Sequence, residues 1–130
     1  MSARRTVAVV TLLVFSTACT GGSPFIPVAG PFNGQLSHAS DAIGSFSLTY
    51  ADGLLGGTGT LLHNGQTVTL AISAVVSGSS INGQLTNAAV GSGALTGQFS
   101  KRDHAYGDFD FTDTATQSKT TGTWTMDTTP

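Results

Sequence analysis

The candidates for acid–base or nucleophilic chemistry in this chain are few: His38, His63 and His104, the aspartates, and many hydroxyl side chains. The 130 residues include three histidines and seven acids, all of them aspartate. His38 and Asp41 could pair near a strand end, whereas His63 precedes Asn64-Gly65, where a solvated turn histidine is expected. No Gly-x-Ser-x-Gly turn marks a nucleophile. The sequence therefore predicts no catalytic residues, no cofactor and no enzymatic activity.

An acidic stretch near the C-terminus is the one place where the sequence offers ligands for a metal. Asp108, Asp110 and Asp113 could present several carboxylate oxygens to Ca²⁺, which prefers such ligands. The spacing lacks the glycine and the terminal bidentate acid of an EF-hand loop. Period-two alternation also places Asp108 and Asp110 on an outward face. We therefore expect a solvated acidic strand and no metal site.

The composition excludes several classes of protein. Charged residues make up only 9% of the chain and hydrophobic residues 39%, which is atypical of disordered chains and of coiled coils. Five Lys+Arg are too few to line a nucleic-acid groove, and one cysteine cannot form a zinc cluster. A single small globular domain without a nucleic-acid partner is the class that remains.

The first 19 residues have the layout of an export signal. Arg4-Arg5 gives a cationic start, the run 6–15 is apolar, and small residues at 16–18 precede Cys19. A positive region, a short apolar region and a small-residue cleavage site define a secretory signal peptide, and the apolar run is too short for a spanning helix. We predict a signal peptide over residues 1–18.

The sequence Ser16-Thr17-Ala18-Cys19 resembles the lipobox of bacterial lipoproteins. The resemblance implies that Cys19 is acylated, with chains such as palmitate, and becomes the first mature residue of a membrane-anchored envelope protein. The usual aliphatic residue three places before the cysteine is Ser16 here, and ordinary cleavage after Ala18, leaving a free thiol, is the alternative. Thr20 is not the aspartate that typically retains Gram-negative lipoproteins in the inner membrane. The resemblance thus implies an outer-membrane lipoprotein, on its periplasmic or surface face.

Residues 19–31 are rich in proline and glycine and are predicted to form a flexible linker, followed by a β domain over 32–130. The motif Asn33-Gly34-Gln35-Leu36-Ser37 recurs closely at 82–86 and 96–100, and period-two alternation persists between turn signals. These features predict eight strands joined by short hairpins. The strands span 32–38, 43–51, 54–62, 66–77, 79–87, 92–100, 104–112 and 119–127.

Alternation along these strands separates an apolar face, punctuated by glycines, from a face of Ser, Thr, Asn and Gln. Eight such strands with the apolar face inward predict an antiparallel up-and-down β-barrel, with a two-sheet β-sandwich as the alternative. An outer-membrane barrel would require the apolar face to turn outward toward lipid. Five aromatic side chains fall on the inward face and could line a ligand pocket at the barrel mouth: Phe46, Tyr50, Phe99, Phe109 and Trp124.

Short hairpins also resemble known barrel families. The stretches 94–100 and 106–109 are similar to barrel segments of transferrin-binding-protein-type surface lipoproteins, and the glycine-punctuated strands are similar to avidin-like and lipocalin-like domains. The polar interior of avidin is missing, so biotin binding is not implied. Two functions are expected. The first is a non-enzymatic envelope lipoprotein whose barrel is an interaction or structural module, with an envelope protein as partner. The second is a lipocalin-like carrier of a small hydrophobic molecule.

Overall fold

Eight antiparallel strands follow one another around a closed barrel in chain order. The computed structural model describes residues 26–128, so the predicted signal peptide, Cys19 and the linker up to residue 25 lie outside it. Within 26–128 there is no helix, and the eight predicted strands are confirmed, with ends within two residues of those expected. The strands are β1 (Gly30–His38), β2 (Asp41–Ala51), β3 (Leu54–His63), β4 (Gln66–Ser77), β5 (Ser80–Asn87), β6 (Gly91–Lys101), β7 (His104–Asp113) and β8 (Lys119–Thr128).

The barrel closes because the last strand pairs with the first. β8 lies antiparallel to β1, with Phe32 opposite Thr128 and Ser37 opposite Thr123 at the two limits of the register. Every strand therefore has two neighbours, and the two-sheet sandwich is excluded. Closure also removes unpaired edges, which this weakly charged chain could not protect with lysines.

The predicted division into two faces is confirmed. The apolar members of the alternating pattern are buried inside the barrel, while the Ser, Thr, Asn and Gln residues between them face outward. Burial of this apolar surface is the dominant stabilising contribution, at about 25 cal/mol per Å². The largest fully buried side chains are Trp124, Phe32, Phe111, Leu36, Leu48, Leu55, Leu61, Leu70, Ile81, Leu85, Leu95 and Met126.

The Trp124 indole lies directly against the backbone of β7, which pairs with its own strand, and of β6 beyond it, and glycines make that approach possible. Gly97 and Gly107 face each other across β6 and β7. A Cβ atom on Gly97 would lie only 2.6 Å from the indole ring. The indole N–H donates to the carbonyl oxygens of Thr96 (3.0 Å) and Asp108 (3.1 Å), so its polar group is satisfied inside the barrel. Inward glycines thus make room for the largest core residue.

The barrel has two ends, which we name by the path of the chain. The entry end carries residues 26–29 and the turns at 52–53, 78–79 and 102–103. The far end carries the turns at 39–40, 64–65, 88–90 and 114–118. No helix within residues 26–128 has the length and hydropathy needed to cross a membrane.

Residues 26–29, which fall in the predicted linker, lie against the barrel at the entry end. The Val28 N–H donates to the Arg102 carbonyl oxygen (2.9 Å), and Arg102 Nε donates to the Ile26 carbonyl oxygen (2.8 Å). Between these two contacts, Pro27 is buried. Residues that precede the first strand therefore also contribute contacts that stabilise the barrel.

Candidate functional site

The five aromatic side chains expected to line a pocket all belong to the inward face, where four of them form two edge-to-face pairs. Phe46 and Trp124 meet edge to face with ring centroids 6.0 Å apart. Phe99 is edge-on to Phe32 (5.7 Å) and to Tyr50 (6.4 Å). Phe109 is buried in the same cluster. These separations are typical of packed aromatic pairs, so the rings fill the space between themselves.

The two longest connections of the barrel, 88–90 and 114–118, both lie at its far end. Thr114 donates from its backbone N–H (3.0 Å) and from its hydroxyl (3.1 Å) to the Val90 carbonyl oxygen. Val90 is partly buried against the core. The 88–90 and 114–118 connections, which flank the neighbouring strands β6 and β7, are thereby tied together at the far end.

The prediction of a solvated turn histidine at position 63 is wrong. His63 is the last residue of β3, points into the barrel and is only 3% exposed. The apolar alternation contained the signal for this, because His63 continues the inward series of Leu55 and Leu61. The residues that contact the imidazole lie about 50 positions later in the sequence, so no local pattern indicates that they are its partners.

His63 joins three strands at the far end of the barrel. Its Nδ1 shares a hydrogen bond of 2.6 Å with the Thr120 hydroxyl of β8, and its ring is edge-on to Phe111 of β7 (5.2 Å). Its Nε2 faces Asp113 Oδ2 at 3.6 Å, which is beyond hydrogen-bond distance, and has no other partner. In the Thr120–His63–Asp113 row, hydrogen bonding is therefore complete only between Thr120 and His63.

The remaining histidines are engaged on the outside of the barrel. His38 Nδ1 donates to the Thr121 carbonyl oxygen (2.6 Å), although Asp41 is its partner in the β1–β2 register. His104 Nδ1 donates to Asp127 Oδ1 (2.7 Å). Both contacts tie neighbouring strands together.

The three aspartates considered for calcium do not converge on one point. Asp110 Oδ1 accepts from the Ala94 N–H (3.2 Å) on β6. Asp113 Oδ1 accepts from the N–H groups of Ala115 (2.8 Å) and Thr116 (3.2 Å), and so caps the 114–118 turn. Asp108 is exposed on the wall. Between residues 26 and 128, no group of three or more His, Cys, Asp or Glu side chains is arranged to hold a metal ion.

A shallow, mostly apolar groove of about 600 Å³ runs along the outer wall of β2 to β5. Leu54 and Val75, which are partners in the β3–β4 register, both line it and are largely exposed. No charged residue lines this groove. It is a feature that alternation missed, because both side chains lie on the face predicted to be polar.

In comparisons with known proteins, no family model matches the chain, and no curated protein matches it.

Proposed function

We propose that the protein is a non-enzymatic bacterial envelope lipoprotein whose barrel is an interaction or structural module. The packed interior is the observation that carries this proposal. Phe32, Phe99 and Tyr50 contact one another near the entry end, and Phe46 contacts Trp124 deeper inside. Because these rings occupy the position that a carried ligand would take, the outer wall and the two ends are the surfaces left for recognition.

The chemistry of the side chains supports a role without catalysis. The one buried histidine faces its nearest carboxylate, Asp113, across a gap of 3.6 Å. His38 and His104 are bound to neighbouring strands. Between residues 26 and 128, we find no nucleophile, base and orienting group placed within hydrogen-bond reach of one another, and this supports the proposal of a role without catalysis.

Anchoring at Cys19 would hold the barrel at a membrane surface, and the outer membrane is the proposed location. Three acyl chains supply this affinity without basic residues, since each buried CH₂ contributes about 0.8 kcal/mol. This part of the proposal depends on the lipobox-like sequence at 16–19.

Mass spectrometry of the protein purified from membranes of a Gram-negative host tests the anchor. We expect a mature chain that begins at Cys19 and carries the mass of its acyl chains. The Cys19→Ala variant is expected to leave the membrane fraction. A chain that begins at Cys19 without acyl mass would refute the lipoprotein.

The carrier function is tested separately by titrating fatty acids and hydrophobic dyes while Trp124 fluorescence is followed. We expect no saturable change, because the indole is enclosed and its N–H is already bonded to two carbonyl groups. A saturable change would support a carrier and contradict the proposal.

A further inference from the structure

Exposed hydrophobic side chains are concentrated at the entry end of the barrel. Within residues 26–128, five large hydrophobic residues are exposed. Four lie near the entry end, where β3 and β7 begin, β4 ends and the chain arrives; Leu62 alone lies near the far end, 48% exposed. The four are Ile26 (55%), Leu54 (57%), Val75 (57%) and Tyr106 (42%).

These four side chains lie on opposite sides of the barrel. Leu54 and Val75 are on β3 and β4, whereas Tyr106 is on β7, four strands from β3 in either direction around the closed sheet. Ile26 is held beside the β6–β7 turn by Arg102. A protein docked on one wall would contact only half of the set. A continuous apolar layer that meets the barrel end-on would contact all of it.

On the proposed function, the lipid anchor reaches the barrel at this same end. Ile26 is seven positions after Cys19 in the chain, and an extended chain spans at most about 3.3–3.6 Å per residue. The entry end therefore cannot be more than about 25 Å from the acylated cysteine. Tyr106 fits such a site, since tyrosine favours membrane interfaces, where its ring is buried and its hydroxyl remains bonded. Here Gln98 Nε2 donates to that hydroxyl (2.6 Å).

We infer that the entry end of the barrel seats on the lipid bilayer, with Ile26, Leu54, Val75 and Tyr106 entering the interface. The far end, with its 88–90 and 114–118 connections, then points away from the membrane. This inference rests on the proposed anchor at Cys19, and it names the lipid surface as the partner of the entry end.

The charges at the entry end favour no particular headgroup. Lys101 and Arg102 are balanced by Asp52, Asp103 and Asp127, of which Asp127 is paired with His104. Apolar contact rather than attraction to anionic lipid thus provides the affinity. Seating on phosphatidylcholine vesicles is expected to equal seating on vesicles that contain phosphatidylglycerol.

Amide hydrogen exchange on vesicle-bound protein tests the seating. The acylated chain is reconstituted into phosphatidylcholine vesicles; if the cell does not acylate it, the thiol of Cys19, the only cysteine, is coupled to a maleimide lipid instead. The test therefore remains valid if the proposed lipoprotein fails. The reference is the same protein in buffer without vesicles or detergent. Compared with it, we expect several-fold slower exchange at the 52–53 and 102–103 turns and no change at the 64–65 and 114–118 turns.

Matched variants decide whether the exposed hydrophobic residues cause the protection. Leu54→Ser with Val75→Ser is expected to remove it at 52–53, whereas Leu62→Ser, the same change at the far end, is expected to leave it intact. All three side chains are exposed, so the variants should fold; near-ultraviolet circular dichroism of Trp124 checks this. Equal exchange at both ends, or protection that survives the double substitution, would overturn the inference.

Discussion

The packing inside this barrel depends on individual glycines as well as on its large side chains. The Tyr106 carbonyl oxygen and the indole of Trp124 together occupy the space that a side chain on Gly97 would need. Gly56, in contrast, has open space around its missing Cβ atom. Identical substitutions at these two positions therefore separate the loss of packing from the general effect of replacing glycine in a strand.

We predict that Gly97→Ala destabilises the fold by about 1–3 kcal/mol, because the new methyl group overpacks the core against the indole. Gly56→Ala is expected to be neutral or to stabilise by up to about 1 kcal/mol, since alanine lowers the entropy of the unfolded chain. Urea denaturation followed by Trp124 fluorescence measures both changes. Equal effects at the two positions would contradict the packing argument.

The hydrogen bond between Thr120 and His63 gives a second prediction at this scale. Thr120→Val keeps the shape of the side chain but leaves a buried imidazole nitrogen without a partner, which is expected to cost about 1–3 kcal/mol. Thr121→Val, on the exposed face of the same strand, is expected to change stability by no more than about 0.5 kcal/mol. The free energy of unfolding in urea compares them. A Thr120→Val protein as stable as its neighbour variant would show that the contact contributes nothing.

At the scale of strands and turns, the sequence predicts features that depend on nearby residues and misses those that depend on distant ones. Alternation predicts the eight strands and the inward position of Phe46 and Trp124, because a side chain's face is fixed by its own strand. Alternation also puts His63 on the inward face, but its partners there, Thr120 and Asp113, are brought beside it only by barrel closure. The apolar groove at Leu54 and Val75 likewise breaks the local pattern.

The position of the turn between β1 and β2 is predicted, but its backbone conformation is not, because the turn lacks the usual residues. Ala39 and Ser40 have φ angles of 49° and 76°, a left-handed conformation that favours Asn and Gly. Asn64 and Gly65 have nearly the same angles, 51° and 76°, in the turn between β3 and β4. The two turns thus have similar φ angles, but their residue types differ in how readily they adopt such angles.

We therefore predict that Ser40→Gly stabilises the protein by about 0.5–1 kcal/mol, since glycine adopts this conformation without the steric cost of a Cβ atom. The reverse change at the equivalent position, Gly65→Ser, is expected to destabilise by about 1 kcal/mol. Thermal and urea denaturation of both variants checks the pair. Changes of the same sign would show that backbone conformation does not control these turns.

For the molecule as a whole, the pairing of β1 with β8 means that the fold does not depend on which two strands the chain ends interrupt. Both ends of the described chain contact one turn, since the Val28 N–H donates to the Arg102 carbonyl oxygen (2.9 Å) and the Thr128 N–H to that of Asp103 (3.2 Å). A short linker can therefore join Thr128 to Ile26 without disturbing the barrel. All eight strands are hydrogen-bonded to two neighbours, and β1 and β8 differ from the others only in that no turn joins them.

This argument predicts the behaviour of circular permutants. Opening the linked chain between Asn64 and Gly65, in an exposed turn, is expected to give a soluble monomer that retains the near-ultraviolet signal of Trp124. Opening it between Ile72 and Ser73 cuts β4 and leaves unpaired edges, so this permutant is expected to aggregate. Size-exclusion chromatography and circular dichroism compare the two with the unpermuted chain. If the β4 permutant were equally monomeric and folded, continuous pairing around the barrel would not be what keeps this weakly charged protein soluble.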